Sequence, residues 1–158
     1  MAILDFLASY EGVGLLVLRA SLGFIMMVHG IPKLVNPSRA AMRGGMRQLG
    51  IRGWLFDLVA LLELIGGLFL MLGLLTRVVS LLFALQMIGT IVLYTAVIYK
   101  VVPPPEILQQ MVQMSRKNMR AFVSAVGGWE FDLLILGASV LLLITGAGSL
   151  SLDAVLGI

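Results

Sequence analysis

The 158-residue chain has no cysteine and a single histidine, His29. Thiol redox chemistry, disulfides and cysteine-ligated iron–sulfur clusters are therefore excluded for this chain. One histidine is too few for a bis-histidine haem or a self-contained zinc site, so we expect neither a haem nor a bound metal. Any redox chemistry has to come from a bound cofactor, a substrate or a partner protein.

Charged residues are also scarce: they make up 12% of the chain, whereas 60% is hydrophobic and the mean hydropathy is +1.08. This composition lies outside the range of soluble globular proteins and predicts an integral membrane protein. The length suits about four spanning helices of roughly 20 residues each. We therefore predict an all-α fold, a four-helix transmembrane bundle that forms a single domain over residues 1–158. The spans are expected at about 12–31, 54–75, 78–99 and 128–146.

Two of the connections between spans have amphipathic patterns. In the first, Arg39, Arg43 and Arg47 recur every four residues, which predicts an interfacial helix, with a plain basic loop as the alternative. In the third, an acidic start and a basic end predict a second interfacial helix at about 106–123. The sequence thus favours a bundle with amphipathic helices in its first and third connections.

The basic residues are distributed unevenly over the connections. Nine of the eleven fall in the first and third connections, which lie on the same side of a four-span protein: Lys33, Arg39, Arg43, Arg47, Arg52, Lys100, Arg116, Lys117 and Arg120. The positive-inside rule makes this side cytoplasmic, so we predict a multi-pass protein with both termini outside. Because topology accounts for the basic charge, we expect the lipid bilayer as a partner and no nucleic acid. A homo-oligomer is one arrangement that the sequence leaves open.

Glu63 lies near the middle of the apolar run Leu58–Leu75. An ionisable residue at such depth is costly unless it is partnered, so Glu63 is a candidate functional residue, with a structural ion pair as the alternative. Arg19 reaches a comparable depth in the first span, and we predict that it pairs with Glu63. Gly66 and Gly67, one turn after Glu63, indicate a close helix contact on the same face.

A second polar group is expected nearer to the cytoplasmic side. His29 near the end of the first span and Glu130 near the start of the fourth reach similar depths, and Lys33 lies one turn further out. A histidine beside a carboxylate can exchange protons with a reduced carrier such as a quinol. The alternative is that His29 only caps its helix.

The third span adds Gln86, Thr90 and Tyr94, which lie on one helical face at successive four-residue steps. We take the catalytic candidates to be Glu63, His29 and Glu130, and the substrate- or cofactor-binding candidates to be Arg19, Lys33, Gln86 and Tyr94.

Short motifs follow one another in a fixed order along the chain. They are Leu18-Arg19 with His29-Gly30, then Glu63–Gly67, Leu72–Arg77, Gly127–Glu130, Gly146–Gly148 and Leu150–Asp153. Over nearly the whole chain this order and spacing resemble the DoxX family of small four-helix membrane proteins. The resemblance implies a protein of the plasma (inner) membrane of a bacterium or archaeon. The family is named after a membrane subunit of a thiosulfate:quinone oxidoreductase.

Three functions are compatible with these residues. In the first, a quinone binds between the helices as cofactor and the chain is the membrane subunit of an oxidoreductase, with a soluble or membrane partner on the cytoplasmic face. In the second, the chain is a non-enzymatic scaffold that recruits a soluble protein through Arg116–Arg120. In the third, it carries a small anion or lipid, with Arg19 as the counter-ion. Whether the chain is an enzyme stays open at this point.

Overall fold

The computed structural model describes residues 10–36, 38–48, 50–96 and 129–158, which form helices and contain no strand. The helices are α1 Glu11–Leu34, α2 Ser38–Gln48, α3 Gly53–Leu72, α4 Thr76–Ala96, α5 Trp129–Thr145 and α6 Leu152–Leu156. The predicted all-α fold is confirmed. The interfacial helix predicted at about 106–123 lies outside the described residues.

Three helices are long and apolar enough to cross a membrane: α1, α3 and the Thr76–Leu93 part of α4. Helix α5, with 17 described residues, packs along α4, while α1 packs along α3. These four helices form the bundle expected of an integral membrane protein.

Glycines bring α1 and α3 into close contact. A Cβ atom added to Gly23 would lie 2.4 Å from the Gly67 carbonyl oxygen, and one added to Gly67 would lie 2.6 Å from the Gly23 carbonyl oxygen. Further along, a Cβ atom on Gly30 would lie 3.0 Å from the Glu63 Cβ. Because only small residues let two helix backbones approach this closely, the close contact predicted beside Glu63 is confirmed.

Gly66 and Gly67 pack against different helices. A Cβ atom on Gly66 would lie 3.1 Å from the Phe83 Cζ on α4. Phe83 is fully buried in an apolar core that all four long helices share, which includes Leu22, Met26, Leu70, Met87, Ile135 and Leu142. The adjacent glycines therefore admit α1 on one side of α3 and α4 on the other.

The structure refines the prediction near the first connection in two ways. The predicted first span ends at about residue 31, just before Pro32, but α1 continues through Pro32 to Leu34. Proline removes one backbone donor but does not force the following residues out of the helical conformation. The first connection is a helix, α2, and not a loop; Arg39 and Arg43 on it each contact Asp57 at 2.9 Å. Its place at the membrane interface stays a prediction.

Candidate functional site

A π-helical turn, Leu62–Gly66, interrupts α3 at Glu63. Such turns insert one extra residue into a helix and are frequent at functional sites. The Glu63 side chain is only 3% exposed. The turn therefore holds a buried carboxylate where α1, α3 and α4 meet.

Glu63 accepts hydrogen bonds from two other helices. Lys33 Nζ on α1 lies 2.5 Å from both Glu63 carboxylate oxygens, and Gln86 Nε2 on α4 lies 2.5 Å from Oε1. The Lys33 side chain is 22% exposed, so its cation reaches from the surface to the buried acid. The structure thus brings together three of the residues singled out from the sequence.

The Gln86 amide is oriented by Glu63. A carboxylate only accepts hydrogen bonds, so the amide nitrogen of Gln86 faces Glu63 and the amide oxygen faces away. That Gln86 Oε1 is buried, and none of the described residues donates a hydrogen bond to it. Gln86 therefore presents a fixed, unpaired acceptor.

Asp132 on α5 contributes a second buried carboxylate. It lies beside the side chain of Thr90 on α4 and within electrostatic range of His29 and Lys33. Its Oδ2 atom is buried and unpaired within the described part of the chain. We call Lys33, Glu63, Gln86, Thr90 and Asp132 the polar cluster; its members come from all four long helices.

His29 and Glu130 lie outside the polar cluster itself. The exposed His29 ring stacks on Phe131, with centroids 5.8 Å apart and planes at 24°, at the edge of the cluster. Glu130 is exposed, and the α5 carboxylate within range of His29 is that of Asp132. Residues two positions apart point about 200° apart on a helix, so Glu130 and Asp132 face different sides of α5.

The predicted ion pair between Arg19 and Glu63 is wrong. Arg19 is buried, and its guanidinium donates to the Ala147 carbonyl oxygen at 2.6 Å and to the Leu150 carbonyl oxygen. The prediction measured depth from the predicted ends of two spans as if they were level. Gly30 of α1 packs against Glu63, and Arg19 precedes Gly30 by eleven residues, so Arg19 lies about 16 Å from the level of Glu63 along the helix axis.

Arg19 belongs to a structural motif at the opposite end of the bundle. Asp153 Oδ1 accepts from the Leu75 N–H at 2.6 Å, Oδ2 accepts from the Thr76 N–H at 2.9 Å, and the Asp153 N–H donates to the Gly73 carbonyl at 2.8 Å. Gly73 has φ +67°, and a Cβ atom there would lie 2.5 Å from Arg19 Nη1. We call Arg19, Gly73 and Asp153, with the backbone groups that they bind, the clasp. It explains two of the sequence motifs, Leu72–Arg77 and Leu150–Asp153, as parts of one structure.

A groove of 410 Å³ lies beside the clasp, away from the polar cluster. Asp153 lines it, but both carboxylate oxygens of Asp153 already bind the start of α4. We therefore place the candidate site at the polar cluster, where a carboxylate oxygen and an amide oxygen are buried without a partner among the described residues. The Tyr94 side chain, a predicted binding residue, lies outside the described part of the structure.

Comparisons with known proteins agree with the motif pattern. The family model DoxX matches residues 14–96, which cover α1 from Gly14 onward and the whole of α2, α3 and α4. The Bacillus subtilis (strain 168) protein named "Putative oxidoreductase CatD" is 31% identical over 145 residues, which cover 92% of this chain and 87% of that protein. No solved structure matches the chain significantly. The family match spans more than half of the chain, and the chain therefore belongs to the DoxX family.

Proposed function

We propose that this chain is the membrane subunit of an oxidoreductase and that its polar cluster binds the head group of a quinone. The observation that supports this most directly is a buried group of charged and amide side chains from four helices with acceptors left unpaired. Ionisable residues inside a membrane are costly and typically mark substrate or proton pathways. The relative's name places that protein among oxidoreductases, which favours the same class here.

The polar groups of the cluster match the hydrogen-bonding groups of a small ring with two oxygen substituents. Lys33 has three N–H donors, and two carboxylate contacts leave one for a ring oxygen. Gln86 Oε1 and Asp132 Oδ2 supply acceptors. A bound quinone carries two electrons and two protons between its carbonyl and hydroxyl forms. The chain has no cysteine and one histidine, so a substrate or a partner protein supplies or removes the electrons.

Each residue then has a distinct role. Glu63 is a positioning residue, because it holds the Lys33 ammonium and the Gln86 amide in place. Asp132 takes up a proton at Oδ2 from a ring hydroxyl, or returns one to a ring oxygen. His29, exposed and within electrostatic range of Asp132, passes that proton to or from the solution.

The first test is binding of a short-chain ubiquinol, the reduced form, to the purified protein in lipid nanodiscs, measured by equilibrium dialysis without oxygen. We expect saturable binding that Gln86→Leu weakens about tenfold, because a buried hydrogen-bonding group is lost. The matched control is Thr95→Val on the same helix, since Thr95 is exposed and its hydroxyl bonds to the Ile91 carbonyl of its own helix. Absence of saturable binding, or an equal effect of both variants, would contradict the proposal.

The other two functions receive less support. An anion carrier would need Arg19 as its counter-ion, but the clasp holds both terminal nitrogens of that guanidinium on carbonyl oxygens. The scaffold hypothesis depends on Arg116–Arg120, which lies outside the described residues, and it stays a prediction.

A further inference from the structure

Each donor group of the polar cluster already contacts an acceptor, whereas two acceptor atoms of the cluster contact no donor. Lys33 Nζ and Gln86 Nε2 bind the Glu63 carboxylate, and the Thr90 hydroxyl lies 3.0 Å from the Met87 carbonyl oxygen. Within the described residues, the buried atoms of the cluster without a partner are Gln86 Oε1 and Asp132 Oδ2. Both of these atoms are acceptors.

This imbalance cannot be relieved by turning the Gln86 amide. A flipped amide would place its oxygen against the Glu63 carboxylate, and two acceptors cannot share a hydrogen bond. None of the described donors is hydrogen-bonded to Asp132 Oδ2: Thr90 lies beside the carboxylate, and Lys33 and His29 lie within electrostatic range of it. With one ammonium and two carboxylates, the cluster also has a formal charge of −1.

We infer that the polar cluster selects the reduced, dihydroxy form of its aromatic ligand, with Asp132 and Gln86 as the residues that determine this preference. The inference rests on the proposed function. A ring hydroxyl donates to an unpaired acceptor and still accepts from the third N–H of Lys33. A ring carbonyl only accepts, so it would satisfy Lys33 and leave both buried acceptors unpaired.

The preference can be measured without any redox reaction. Three probes share one ring: trimethylhydroquinone, trimethylbenzoquinone and the dimethyl ether of trimethylhydroquinone, which keeps both oxygens but has no donor. Binding to the wild-type protein in nanodiscs is measured by equilibrium dialysis without oxygen. We expect the hydroquinone to bind at least about tenfold more tightly than the other two probes, because charged acceptors strengthen hydrogen bonds.

Variants then locate the preference in the cluster. Asp132→Leu and Gln86→Leu should each reduce the ratio of hydroquinone to quinone affinity toward one. The control Glu11→Gln should leave that ratio unchanged, since Glu11 is exposed in the first turn of α1. Size-exclusion and circular-dichroism profiles establish that each variant is folded. If a leucine variant does not fold, the comparison of probes on the wild-type protein still decides.

The outcomes separate this inference from the proposed function. Equal affinities, or tighter binding of the benzoquinone, would overturn the inference and leave quinone binding intact. No binding of any probe would overturn both. A preference that survives both leucine variants would also overturn the inference, because the two acceptors would not determine it. Displacement of the hydroquinone when sodium is raised at constant ionic strength would overturn it too, because the acceptors would then bind a cation.

Discussion

The clasp and the polar cluster both bury charged side chains, but the hydrogen-bonding partners of these side chains differ. In the clasp, Arg19 donates to backbone carbonyls and Asp153 accepts from backbone N–H groups. In the polar cluster, Lys33 and Glu63 meet each other and a side-chain amide. Backbone partners are fixed by the fold, whereas side-chain partners can be shared with a ligand.

The unpaired atoms at the two ends differ as well. The clasp leaves Arg19 Nε and Thr76 Oγ1 without partners, but backbone groups bind both terminal nitrogens of Arg19 and both oxygens of Asp153. In the cluster, Asp132 Oδ2 and Gln86 Oε1 have no partner among the described residues, backbone groups included. This contrast suggests a criterion for buried charge in small membrane proteins: satisfaction by the backbone indicates a structural role, and incomplete satisfaction by side chains indicates a binding site.

The largest effect is expected from breaking the clasp. Arg19→Met leaves the Ala147 and Leu150 carbonyls without their donor and removes the cation near Asp153, so we expect a loss of about 3–5 kcal/mol in the free energy of unfolding. Unfolding in mixed detergent, followed by circular dichroism, measures it. Arg77→Met is the matched control, because Arg77 is exposed and loses only one long hydrogen bond, of 3.4 Å, to the Ile144 carbonyl oxygen. A stable Arg19→Met protein that has lost quinone binding would reverse the roles assigned to the two ends.

An intermediate effect is expected from the ion pair of the polar cluster. Lys33→Met leaves the buried Glu63 carboxylate without its cation, but Lys33 is partly exposed, so we expect a loss of about 2–3 kcal/mol. The double variant Lys33→Met/Glu63→Gln should recover at least about 1 kcal/mol of that loss, since residues in contact are coupled.

The same unfolding assay, applied to both single variants and the double variant, gives the coupling energy. Quinone binding should be lost in all three proteins even where stability recovers. Additive losses would show that Lys33 and Glu63 do not act as a pair. Retained binding in the double variant would remove Glu63 from the site.

Local patterns predicted much of this architecture. Gly66 and Gly67, one turn after Glu63, predicted a close helix contact, and Gly67 makes it with Gly23 of α1. The helical period also grouped Gln86 with Thr90, and both occur in the cluster. Such features depend on a few consecutive turns of one helix, which the sequence displays directly.

Features that depend on the relative level of two helices could not be predicted in this way. Arg19 was assigned the wrong partner because the sequence does not show which residue of α1 lies beside Glu63. The clasp joins Gly73 to Asp153 across 80 residues of chain, without any shared pattern. The sequence predicts Glu130, and not Asp132, as the carboxylate near His29. Which of the two faces His29 depends on the rotation of α5 about its axis, and the nearly uniform apolar sequence of α5 leaves that rotation undefined.

The smallest effect is expected where charges are neither buried nor part of the site. Asp57 contacts Arg39 and Arg43 at 2.9 Å, but these side chains are 27%, 38% and 34% exposed. Exposed ion pairs contribute little, so Asp57→Asn should cost less than about 1 kcal/mol, and less still at high salt. Unfolding at low and high sodium chloride, with Glu11→Gln as the control acid, measures both quantities. A loss as large as that of Arg19→Met would show that charge alone, and not its burial and its partners, governs stability in this bundle.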